Sequence, residues 1–520
     1  MEKKSENALL VCIIVVGILG GGMMAGCISP PEEVSKQELV VGISTDVDNW
    51  YLDKFPGGDA RFVWSQVYET LVRLDTDLKI QPGLAESWET PDGGKTWIFH
   101  LRKGIKFHDG TPFNSTAVVF SYSDKSFARR IALRTVDHVE ALDEYSVKFV
   151  SKRPTPVPLY ITHVAWPIMS PSCEDEKGEF VKPIGTGPFK FENQIKDQEV
   201  VLVRNDDYWG ERPTLEKVIF KVIPEASTRV MALETKEVDM IIKVPEFEVS
   251  RLEKESNIEV YRKLTTFTDF LQFNCEKEPF NDTKVRKAVA YAVDTEKLIN
   301  TVLEGVGKPA KGRAFSPVML YSKPDLKLYE YNADKTKELL LEAGWEDTDG
   351  DGIVDRDGKP LRVTLLVERG AWAPRWIPMA EAIQGELRKV GIDIEIQVLE
   401  SGAVTKLERE GNFDMMLRSG YFVWGPYPRH FFVHHSKSPY GHYKNEEYDR
   451  LVDLADSTVD TKEQEKLYHE LQEMVIEEVP AFYLVHEEKI VAANSYVKGY
   501  IITAEDPWLN LDGVYMEEKK

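Results

Sequence analysis

Between Pro183 and Ile242 the sequence spells out a covered sheet with a crossover. Pro183-Ile184-Gly185-Thr186-Gly187-Pro188-Phe189 is a glycine-rich turn. Val200 to Val203 and Val218 to Ile223 are runs rich in β-branched residues, suited to strands buried on both faces. Asn205-Asp206-Asp207-Tyr208-Trp209-Gly210 sets an aromatic anchor between them. Ser227 to Lys236 then reads as a crossover helix leading to a third strand at Asp239-Met240-Ile241. No residue pattern here is reactive; it is scaffold.

The N-terminus bears on location. Lys3 and Lys4 precede an apolar run from Ala8 to Met24 that exits through Met24-Ala25-Gly26-Cys27. A basic start, a short apolar core and a small-residue exit make a secretory signal. Cys27 in that context looks like the lipidated cysteine of a lipobox. The other reading is an uncleaved anchor, since Ala8 to Ile28 is long enough to span a bilayer. Both leave the remainder outside the membrane. Ile28 to Glu38, with Pro30-Pro31 and Glu32-Glu33, reads as a tether.

With 520 residues the chain exceeds a single core, so two or three domains are expected. A formal charge of −22 argues against nucleic acid, which needs a basic surface. Apart from Cys12 and Cys27 the cysteines are Cys173 and Cys275, too few for a disulfide framework. Helical spacing runs from Val63 to Leu74, a hairpin is expected over Thr96 to Phe107, and Val139 to Val150 reads as one strand. Leu361 to Glu368, Met379 to Val390 and Ile392 to Leu399 form a βαβ unit. A helix over Lys462 to Glu478 is stopped by Pro480 and followed by a strand at Ala481 to Val485.

The turn, the Tyr208-Trp209 anchor, Tyr68-Glu69-Thr70-Leu71-Val72, Leu84-Ala85-Glu86-Ser87-Trp88 and the run from Lys284 to Asp294 recur in order. Together they resemble the extracytoplasmic solute-binding proteins of peptide and nickel ABC importers, solute-binding protein family 5. The resemblance implies an α/β, two-lobed periplasmic-binding-protein-like fold with an additional subdomain in the first lobe. Its boundaries would be 1–27 signal peptide, 28–38 tether, 39–77 with 183–280 and 486–520 as lobe I, 78–182 as the added subdomain, and 281–485 as lobe II. It also implies a monomer on the outer face of the cell membrane that captures a peptide or nickel chelate and delivers it to permease subunits.

Five stretches are candidates for chemistry. Trp424 and Tyr427, with His434 and His435 downstream, fall where family members line the cleft; imidazole suits Ni²⁺, and aromatic rings can cover a planar chelate or a peptide side chain. The other reading is a surface loop. Trp50 and Tyr51 are candidate aromatic contacts from the first lobe. Arg61 offers a guanidinium fork to a carboxylate. The segment His163 to Met169 contains no arginine, whereas nickel-binding relatives place one there. Asp347, Asp349, Asp351 and Asp355 alternate with glycines as in the first half of a calcium loop, with Gly358 at the twelfth position in place of a glutamate. His-Glu-x-x-His, Gly-x-Ser-x-Gly, phosphate-loop and dinucleotide motifs are absent, so an enzyme is not expected. A secreted hydrolase, and a sensor or adhesion protein without an importer, are the alternatives.

Overall fold

The computed structural model describes residues 36–131, 133–370, 373–420, 429–505 and 508–518. Eight strands position the site: β1 (Glu38–Ile43), β2 (Lys217–Val222), β3 (Met240–Ile242), β4 (Ile258–Phe273), β5 (Arg362–Arg369), β6 (Asp393–Glu400), β7 (Met415–Ser419) and β8 (Ala481–Asn494). They lie in one sheet in the order β6-β5-β7-β4-β8-β3-β1-β2, continued by strands Glu199–Arg204 and Phe189–Ile195. Two sets are parallel: β1 with β2 and β3, and β5 with β6 and β7. Between them β4 and β8 run antiparallel to each other and join the sets. The fold is α/β and two-lobed.

Each set has its own core. Leu39, Val41, Phe220 and Met240 belong to one, and Leu365, Val367, Ile383 and Leu417 to the other. Helix α3 (Ala373–Arg388; α1 is Ala60–Val67 and α2 Glu246–Leu252) covers the second set, burying Met379, Ile383 and Leu387 at a spacing of four. The parallel pairing of β5 and β6 is that expected of the βαβ unit. The crossover helix of the first lobe spans Ala226–Glu234, also as expected.

A separate sheet takes up part of residues 78–182, in the order Ala85–Glu89, Thr96–Leu101, Ser146–Ser151, Val136–Asp143. Phe99, Phe113, Phe149 and Trp166 are in its core. The expected hairpin over Thr96 to Phe107 is absent. Thr96–Leu101 pairs instead with Ala85–Glu89 and Ser146–Ser151, while Ile105 and Phe107 enter the same core from a loop. The single strand expected at Val139 to Val150 is two, because the Asp143 carboxylate accepts the Tyr145 N–H and closes a turn.

The helix expected from Val63 to Leu74 is α1, and it stops at Val67. The reason lies in the glycine-rich turn: the Gly187 N–H caps the Val67 carbonyl at 3.0 Å. A Cβ at Gly185 would lie 1.9 Å from that oxygen, so only glycine permits the approach. Tyr68 turns extended, and Val72–Leu74 pairs with Ile80–Pro82. The strand expected at Ala481 to Val485 runs on to Asn494, so β8 passes unbroken through the 485/486 boundary drawn between the lobes.

Candidate functional site

The register of β4 and β8 locates the cleft. Leu264 faces Glu488 and Thr268 faces His486, leaving an irregularity between these pairs. On one side, β3 runs antiparallel to β8 with Met240 opposite Ala493 and Ile242 opposite Val491, so its carboxyl end points at that irregularity. On the other, β7 runs antiparallel to β4 from Met415 opposite Phe273 to Ser419 opposite Asp269, and its carboxyl end points there too. In open α/β sheets ligands bind outside the carboxyl ends of parallel strands. Here two such edges face one another across a shared bend.

The loops leaving those edges carry charge. After β1, the fully buried Asp59 accepts from the backbone N–H and hydroxyl of Ser44 and sits 2.5 Å from Lys243 Nζ, just past β3. Burial pushes the Asp59 carboxyl up, but Lys243 and the Ser44 donors outweigh it and hold it below the usual range. Lys243 has a φ of 54°, a left-handed conformation that costs a residue with a Cβ about 1–2 kcal/mol.

At the bend, Arg375 near the start of α3 reaches both lobes. Its guanidinium lies 2.6 Å from Asp269 Oδ2 on β4, 3.5 Å from Glu487 Oε2 on β8 and 3.4 Å from Glu246 Oε1 at the start of α2. Trp376 Nε1 donates to Asp269 Oδ1 at 3.0 Å, and the Ser419 hydroxyl donates to Glu487. Burial first, and the charge of Asp269 second, push Glu487 up to about 8 against the pull of Arg375. Burial raises Asp269 as well.

An aromatic shelf lies at the start of α1. The Arg61 guanidinium carbon is 5.2 Å from the Phe55 ring centroid, and Phe55 stacks on His163 at 6.2 Å and packs on Trp166 at 6.0 Å. Burial, and then the Arg61 charge, hold His163 far below its usual pKa, so it is neutral. Arg61 thus brings a guanidinium to the His163–Met169 segment that has none of its own.

The sequence candidates are not all gathered here. Trp50 packs in the first-lobe core against Phe191, and its indole N–H donates to Gln194 at 2.7 Å. Tyr51 donates its hydroxyl to Glu174 and packs on Phe180. His434 is buried, 3.0 Å from the Tyr483 hydroxyl. His435, equally buried, accepts the Lys437 N–H and lies 3.5 Å from Asp449 and from Asp453. Both imidazoles are thus engaged with the second-lobe core rather than exposed on a loop. Trp424 and Tyr427 lie outside the described residues. Asp347, Asp349 and Asp351 are exposed with ligand atoms within 4.8 Å of one another. Asp355 accepts from the Thr348 backbone N–H and hydroxyl.

The cluster at the bend left a signal in the sequence. His486-Glu487-Glu488-Lys489 interrupts an apolar strand, and Thr265-Thr266-Phe267-Thr268-Asp269 interrupts its partner at the same register. Arg375 carried no comparable mark.

Comparison with known proteins agrees with this architecture. The family described as bacterial extracellular solute-binding proteins, family 5 middle, matches residues 79–441. The chain is 30% identical to the oligopeptide-binding protein AppA of Bacillus subtilis, covering 92% of this chain and 89% of that one. It is 32% identical to the nickel-binding periplasmic protein of Escherichia coli, covering 73% and 74%. The crystal structure of NikA from Brucella suis in complex with Fe(III)-EDTA superimposes with a TM-score of 0.85 at 26% identity, covering 92% and 100%. These relatives are binding proteins, and among the described residues no helix is long and apolar enough to cross a membrane. The chain belongs to family 5 of the bacterial extracellular solute-binding proteins, the solute-capturing components of ABC importers.

Proposed function

We propose that this protein is tethered outside the cell by lipid on Cys27 and closes its lobes over a compact solute bearing carboxylates, a nickel or other metal chelate, for delivery to a permease. The observation that carries the cargo class is the Arg61–Phe55 shelf beside neutral His163. A guanidinium over an apolar ring pairs with a planar carboxylate while the aromatic face covers the rest of a flat ligand. The resemblance to proteins named for nickel and Fe(III)-EDTA supports the same class. We place the hinge of that closure at the register irregularity between β4 and β8.

A peptide is the second reading, favoured by 30% identity to an oligopeptide-binding protein over 92% of the chain. Native mass spectrometry with elemental analysis of gently purified protein separates the two. One equivalent of metal with an organic acid supports the chelate; a ladder of peptide masses without metal supports the peptide and removes the chelate. Calcium at Asp347, Asp349 and Asp351 belongs to this reading as a structural ion, and its absence would be read from a melting temperature that Ca²⁺ does not raise. Globomycin-sensitive processing with loss of the anchor in Cys27→Ser tests the tether.

A further inference from the structure

The four-stranded unit built around Ala85–Glu89 and Ser146–Ser151 touches the second lobe away from the connecting strands. Helix α4 (Glu446–Ala455) ends at Asp456, which is only 8% exposed. Its Oδ2 lies 2.6 Å from Arg153 Nη2, and its Oδ1 accepts the Tyr160 hydroxyl at 2.9 Å. Both partners come from the four-stranded unit, roughly three hundred residues earlier in the chain. Nearby, the Arg134 guanidinium lies 4.7 Å from the Phe432 ring centroid, and Leu320 packs against the apolar cores on both sides. Gly94, with φ +96°, lets its backbone meet Val459, whose Cγ1 is 2.4 Å from where a Cβ would stand.

A carboxylate is badly placed at the C-terminal end of a helix, where the last carbonyls concentrate negative potential. It does nothing for α4 by itself. Its two oxygens instead receive a cation and a hydroxyl from across the interface, so separating the two parts would leave Asp456 to be solvated at an unfavourable helix end.

We propose that the four-stranded unit is a jaw that latches the closed state, with Asp456 as the catch held by Arg153 and Tyr160. The inference rests on the reading of the protein as a closing two-lobed receptor. Asp456, Arg153 and Tyr160 themselves hold the latch, so it biases closure with or without solute. Arg153 is partly exposed, which limits the effect of the pair to a modest bias in the open-to-closed ratio.

The experiment uses full-length mature protein without added solute. Arg153→Ala and Asp456→Asn are compared with the parent by small-angle scattering and by amide exchange over 150–160 and 446–459. The latch predicts a larger radius of gyration and roughly two- to fivefold faster exchange in both segments. The reversed pair Arg153→Asp with Asp456→Arg should recover the parent's values, since arginine suits a helix C-terminus. Unchanged scattering and exchange in both single variants, or single-variant behaviour in the reversed pair, would overturn the latch. The reversed pair also guards against a single variant that merely folds poorly. Failure of the cargo reading would appear elsewhere, as no uptake of a nickel–histidine chelate by the parent with the latch response intact.

Discussion

The indole N–H of Trp209 donates to Glu69 Oε2 at 2.8 Å, joining residues 140 apart in the chain. Glu69 also accepts the hydroxyls of Thr186 at 2.7 Å and Tyr208 at 2.9 Å. One enclosed carboxylate thus gathers the glycine-rich turn and the aromatic anchor onto the end of α1.

Burial pushes Glu69 up to about 7 despite those three donors. An acid whose pKa is raised on folding binds more protons folded than unfolded, so its stabilisation is complete below about 4.5 and is lost as pH rises through about 7. Glu69→Gln should flatten that part of the melting-temperature profile while remaining folded. A profile between pH 4.5 and 7.5 identical to the parent's would refute the assignment.

Gly185→Ala should destabilise the first lobe by about 2–3 kcal/mol, since the new methyl meets the Val67 carbonyl and the turn must shift. Gly104→Ala, with nothing within 4 Å of its Cβ, isolates the backbone cost, because φ there is +80°. Urea denaturation of both variants should place Gly185→Ala clearly below Gly104→Ala.

Removing Arg375 leaves Asp269 and Glu487 buried without their cation. Arg375→Ala should cost about 3–5 kcal/mol at pH 8. The loss should shrink at pH 5, where Glu487 is protonated in the folded state and less negative charge is left buried. Denaturation at the two pH values measures the difference; equal losses would mean that the guanidinium acts only by packing.

Arg61→Ala should weaken binding of a carboxylate-bearing chelate about ten- to a hundredfold, the worth of a charged hydrogen-bonded pair. Arg61→Lys should recover only part of it, because an ammonium cannot form the fork. Isothermal titration gives the numbers. Full affinity in Arg61→Ala would move the cargo site elsewhere in the cleft.

His434→Ala should act on stability rather than on binding. It removes the 3.0 Å hydrogen bond between this imidazole and the buried Tyr483 hydroxyl, at a cost of about 1 kcal/mol, with nickel–histidine affinity unchanged. Lost affinity at an unaltered melting temperature would restore this imidazole to the binding site.

Read from sequence alone, the chain already declares an α/β scaffold. Alternation, β-branched runs and helical spacing are local properties of consecutive residues, and the expected elements at Val218, Ser227, Leu361 and Lys462 appear close to where their patterns put them. Tertiary contacts decided the rest. The helix begun at Ala60 ends at Val67 because a turn 120 residues later caps it, and Thr96–Leu101 takes partners distant in the chain over the apolar segment beside it. The same holds at the candidate site. His434, His435 and Trp50 have the right chemistry for a ligand but are drawn into cores by neighbours from other elements, while Arg375 acquires its role only where two lobes converge. Residue type and spacing determine which elements form, since those depend on neighbours along the chain; which side chains face the cleft depends on partners hundreds of positions away.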